Sequence, residues 1–170
     1  MADEARFDAS KNITTIGASR IVFHCHHYNV FLQRSIEEAL GADGAAVQRA
    51  AAAEAAQRML SGLFTDAASL RDRLARVQKL FGSLGFGAAD ASALSVDGGP
   101  VTLRTSHYAI GWRSKFGPNP RPVCHFATGF WAGALATVAG LPPERVRADE
   151  VRCAVTGQGT GGCEIRVEVL

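Results

Sequence analysis

The sequence contains no apolar run approaching the roughly 18 residues that a membrane-spanning helix needs. Its first residues, MADEARFDASKN, are polar and acidic, without the basic start and apolar centre of a secretory signal. Both absences point to a cytoplasmic chain with no membrane partner. A basic block is missing too: 18 Lys and Arg stand against 16 Asp and Glu, and the net charge of +2 is spread along the chain. Arg71, Arg73 and Arg76 cluster, but Asp66 and Asp72 sit among them, which reads as a solvated helix face and excludes a nucleic-acid footprint. A phosphate-binding glycine loop, a nicotinamide fingerprint and a nucleophile triad are also lacking, so no reaction can be read from a motif.

Cysteine is scarce, with four residues and no C-x-x-C pair. In a reducing compartment such cysteines serve as thiols or metal ligands rather than disulfides. Apolar residues make up 47% and charged residues 20%, the balance of a globular protein, and 170 residues suffice to bury a core without disulfide staples.

Neither a linker nor an internal repeat divides the chain, which reads as one domain over residues 1–170. Residues 1–27 form an extended N-terminal segment, with β-branched residues at 13–16 and 21–22. Residues 28–84 are helical. Apolar positions at 31, 32, 36, 39 and 40 recur at helical spacing until Gly41; Asp43 then caps an alanine-rich helix to about 61, and Asp66 caps another to about 84. Residues 85–170 read as hairpin, helix, hairpin. Strands at 93–96 and 101–106 flank the turn Asp97-Gly98-Gly99-Pro100, and 108–122 reads as a proline-containing binding loop. A buried helix covers 123–139, with Gly129 and Gly133 four apart where another backbone can approach closely. Strands at 146–155 and 163–169 close the chain. The fold class is α+β, with an antiparallel sheet packed against helices.

Cys124 opens the buried helix, while Glu150, Cys153 and Cys163 lie on the final hairpin. Three thiolates and a carboxylate would complete a tetrahedral zinc site, the cation offsetting the repulsion among the anions. Simple alternation puts Glu150 and Cys153 on opposite faces of one strand, so sharing a metal requires a bulge between them. Otherwise the buried cysteines are small hydrophobes.

The run C-x4-G-x3-G at Cys124, Gly129 and Gly133, then E-x2-C at Glu150 and Cys153, a glycine-containing turn and Cys163 in the last strand, resembles the vinyl-4-reductase domain family. The resemblance covers the last fifty or so residues; upstream the elements agree only in order and type. It implies an α+β fold, shared at a distance with haem nitric-oxide sensors and vesicle-tethering subunits, and usually a homodimer. Members include sensory domains that respond to phenols and stand-alone small-molecule binders. The family's zinc ligands carry over to Cys124, Glu150, Cys153 and Cys163. Its phenol-holding histidine and tryptophan have plausible counterparts in His107 and Trp112. The loop between Cys153 and Cys163 is longer and richer in glycine than the family's, and no ATPase or DNA-binding domain follows, so the chain is not expected to be a transcriptional activator by itself.

These readings combine in a pocket for a small hydrophobic or aromatic ligand, lined by His27, Tyr28, His107, Trp112 and Phe116, with Phe130 or Trp131 added from the buried helix. The run FHCHHYN at 23–29 leaves three readings open: a strand end with one buried histidine, polar groups of the pocket, or a second metal or haem site. If a helix begins at His24, His24 and His27 fall one turn apart and can chelate. His125 is either a neighbour of the metal ligands or a solvent-facing residue. A rival function is a metal- or haem-dependent reductase, lyase or hydrolase using His24, His26, His27 and His107. An assembly subunit without a ligand is a third.

Overall fold

A computed structural model describes residues 5–17, 19–64, 68–157 and 161–170. The chain opens with three short strands, Arg6–Asp8 (β1), Ile13–Ile16 (β2) and Ser19–Ile21 (β3), which pair antiparallel in sequence order. Three helices follow: His26–Leu40 (α1), Asp43–Leu60 (α2) and Leu70–Ser83 (α3). Next come Ala89–Asp90 (β4), Gly98–Leu103 (β5), His107–Phe116 (α4) and His125–Ala139 (α5). Val146–Arg152 (β6) and Cys163–Val169 (β7) complete a four-stranded antiparallel sheet of order β4-β5-β7-β6. The architecture is α+β, with antiparallel sheets packed against five helices.

The core lies between the four-stranded sheet and α5. Alternation along β5 and β7 turns Val101, Leu103, Cys163, Ile165 and Val167 inward. α5 is apolar on nearly every side, as a helix covered by sheet on one side and helices on the other must be. Across it lies α2, and the two helices meet rung by rung. A Cβ on Gly129 would run into the Arg49 carbonyl, and one on Gly133 into the Ala53 carbonyl. The alanine tract of α2 and the paired glycines of α5 are therefore two halves of one close backbone contact.

Several boundaries differ from the sequence reading. Residues 107–116 are helical because Pro118, Pro120 and Pro122 all lie beyond Gly117, while the Ser106 hydroxyl accepts the Ala109 N–H and caps the helix start. The hairpin turn at 97–100 gives way to β5 itself: Gly98 and Gly99 sit in the strand at φ 101° and 142°, where side chains would strike the Val167 and Ala93 carbonyls. Cap Asp66 lies outside the described residues, and Ser69 performs that task for α3. Asp43 sits in the first turn of α2 rather than at its cap.

The α2–α5 contact predicts that Gly129→Ala costs about 1–3 kcal/mol of unfolding free energy through overpacking. Gly62→Ala, placed in open space, should stay within about 0.5 kcal/mol. Urea titrations of both variants check the pair.

Candidate functional site

Three elements, α5, β6 and β7, bring together Cys124, Glu150, Cys153 and Cys163, all buried, with one potential ligand atom from each lying within 4.8 Å of the others. Cys124 stands immediately before α5, where the helix N-terminus favours a negative sulfur. Cys163 begins β7. The cysteine and carboxylate of the other strand reach the same face through a bulge: Glu150 pairs with Ile165 and Arg152 with Glu164, so Val151 is an extra residue. Val151 points to solvent, and Glu150 and Cys153 both turn inward.

The spacing suits a tetrahedral ion. Sulfurs bound at about 2.3 Å stand about 3.8 Å apart in a tetrahedron; Cys163 Sγ lies 3.5 Å from Cys124 Sγ and 3.9 Å from Cys153 Sγ. Glu150 Oε2 accepts the Cys124 backbone N–H at 2.7 Å, which leaves Oε1 buried and without a hydrogen-bond partner. An orphaned carboxylate oxygen facing three thiols is what a cation would satisfy. Without one, burial first and Cys153 next push the Glu150 carboxyl up to about 8. Its hydrogen bonds with Cys124 first and Cys153 next bring Cys163 down to about 4. Cys124 rises as its S–H is committed to those same neighbours. The proton is thus pushed unevenly around a crowded acidic cluster, and this buried Cys3Glu group can hold a metal ion.

Residues beyond the ligands brace the cluster. Ala154 N–H reaches Cys163 Sγ at 3.3 Å, and Ser106 Oγ lies 3.1 Å from Cys124 Sγ while also capping α4. No motif marked Ser106; only its place before a helix start could have. His125 is buried, with Nε2 3.1 Å from Glu37 Oε1, so it does not face solvent. Gln33 bonds both Glu37 and the Val123 carbonyl, tying α1 to the residue before Cys124.

The HCHH run is divided by the helix start. Cys25 caps α1, its sulfur accepting the Tyr28 N–H, and remains outside the metal cluster. The helix begins at His26, so the His24–His27 helical turn does not form. His24 stacks on Tyr28, both exposed, and His27 is exposed. His26 meets His107 at the start of α4, with Nδ1 atoms 3.5 Å apart. Among the described residues, no third His, Cys, Asp or Glu side chain joins that pair in a ligand group.

The seven expected pocket residues occupy three places. His27 and Tyr28 lie at the surface. Trp112 and Phe116 line an open groove of about 500 Å³ with Arg34, Lys115 and Arg121, the Arg34 guanidinium 4.4 Å over the Phe116 ring. Phe130 and Trp131 are in the core. There they join an aromatic wall that reaches His107 through Tyr108 and Phe126, with ring separations of 4.9 Å, 5.9 Å and 6.1 Å along the His107–Tyr108–Phe126–Phe130 path. Burial raises the Tyr108 hydroxyl to about 12, so it stays protonated. His107 Nε2 and Trp131 Nε1 are both buried with no hydrogen-bond partner among the described residues. No helix among the described residues is long and apolar enough to cross a membrane.

Comparison with solved structures finds the same fold in the phenol-responsive sensory domain of the transcription activator PoxR, solved with phenol: TM-score 0.81 at 16% sequence identity, covering 98% of this chain and 85% of that one. No protein-family model matches the sequence. No curated protein matches it either.

Two outcomes follow from the geometry. If the Cys/Glu cluster holds a metal ion, Cys153→Ser or a strong chelator should release it. At free metal a thousandfold above Kd the ion contributes about 4 kcal/mol, so the melting temperature should fall by about 8–16 °C; unchanged metal content and melting temperature would refute the assignment. Burial first, then the nearby His26 and Lys115, hold His107 below the ordinary 6.5. The unfolded chain therefore binds that proton first: the stabilisation is complete above 6.5 and is lost as pH falls through the lower folded value. His107→Gln should flatten the acid limb of a stability–pH profile.

Proposed function

We propose that the chain is a binding domain of the vinyl-4-reductase type, taking a small aromatic molecule that bears a hydroxyl group, beside a structural zinc. The observation that carries this reading is that His107 Nε2 and Trp131 Nε1, two of the buried nitrogens without a hydrogen-bond partner among the described residues, are connected by one aromatic wall. Leaving a buried polar group unpaired costs about 1–3 kcal/mol. A ligand oxygen would remove that cost, and the faces of Phe126, Phe130 and Tyr108 would supply most of the affinity. The shared fold with a phenol-responsive domain supports the same ligand class.

Zinc is the ion that three thiolates and one carboxylate suit best, and four protein ligands leave no open position for hydrolysis. Its role is to hold α5, β6 and β7 together. Thiols that must stay reduced suit the cytoplasm. The exposed side chains of Phe7, Val22, Phe23, Phe31 and Leu32 support a homodimer in which a second copy covers them.

Phenol binding followed by calorimetry tests the pocket. Trp131→Phe and His107→Ala should each weaken phenol about three- to tenfold, the worth of one hydrogen bond, while Trp112→Phe changes little. No binding by the native chain, or unchanged affinity in both folded variants, rejects the reading.

A further inference from the structure

His26 and His107 lie outside the Cys/Glu cluster and are brought together by the packing of α1 against α4. Their rings stand edge to face at 87°, and Nδ1 of one lies 3.5 Å from Nδ1 of the other. Two nitrogens turned toward each other share either a proton or an ion. A shared proton draws heavy atoms to about 2.7–3.2 Å, closer than these are. Two imidazoles on one tetrahedral ion, each at 2.0–2.1 Å, stand about 3.3–3.4 Å apart. We propose that His26 and His107 chelate a second, exchangeable divalent transition metal of the zinc, nickel or copper class through their Nδ1 atoms.

The junction is built for that approach. Gly111, one helical turn beyond His107, has no side chain where His26 sits; a Cβ there would lie 2.6 Å from both His26 Cε1 and Val30 Cγ2. The missing side chain lets the His26 ring rest against α4. His26 is exposed, so an ion can arrive from solvent, and two protein ligands leave coordination positions for water or an added molecule. Burial first, and Lys115 after it, disfavour a proton on either ring, which keeps the imidazoles in their ligating form, while Lys115 also opposes the incoming cation. The site therefore exchanges its metal more readily than the closed thiolate site.

Metal on Nδ1 leaves the ring proton on Nε2. In His107 that nitrogen is the buried, unpartnered one, so the ion would fix an N–H donor on the ring edge away from it. An effect of metal on aromatic ligand affinity rests on the function proposed above; chelation itself does not.

The test is excess Zn2+ added to the full chain, read by long-range proton–nitrogen spectra of the histidine rings with no aromatic compound present. The Nδ1 signals of His26 and His107 should shift together, with His107 settling in the Nε2–H form and His24 and His27 unmoved. His26→Ala, a surface substitution, should abolish the response at His107. Because each ring is resolved separately, neither failure of the thiolate site to take zinc nor absence of phenol binding obscures the result. Unmoved His26 and His107 rings, or a His107 response that survives His26→Ala, overturns the proposal.

Discussion

Three thiols and a carboxyl group are enclosed in one small volume of the core, and the rest of the structure is arranged around the charge they carry. Glu150 is only 7% exposed, and one of its oxygens has no hydrogen-bond donor. An isolated buried carboxylate is expensive, and adjacent sulfurs that compete for protons make it more so. A cation held there would convert that liability into a joint between α5 and the hairpin β6–β7. The helix start at Cys124, the bulge at Val151 and the N–H of Ala154 each have a clear purpose when the four groups are read as one ligand set.

The packing that brings them together comes from residues with little chemistry of their own. Gly129 and Gly133 admit α2 to backbone contact, which seats α5 against the sheet and sets where Cys124 begins. The first two turns of α5 also carry Phe126, which packs on Tyr108, and Phe130, which packs on Phe126. The Cys/Glu cluster and the aromatic wall thus share one helix.

Much of this was legible before the structure. Alternation in 163–169 placed Cys163 on the buried face, and the spacing of Gly129 and Gly133 announced a close helix contact. The need for a bulge between Glu150 and Cys153 could be stated from period alone, but its position at Val151 could not, because a bulge is set by pairing with β7 rather than by local propensity. α4 was missed because the prolines of the following loop coloured the whole stretch from 108 to 122, although none lies before Gly117. The meeting of His26 with His107 spans α1 and α4 and leaves no local sequence signal. The pocket was the least legible part: Tyr28, Trp112 and Trp131, far apart in sequence, end up at the surface, in a groove and in the core, and only tertiary packing assigns those places.

X-ray absorption at the zinc edge of the protein as purified tests the central claim most directly. Three sulfurs at about 2.3 Å and one oxygen at about 2.0–2.2 Å are expected around the zinc. A shell of nitrogen and oxygen alone, or a folded protein that carries no metal, would contradict it.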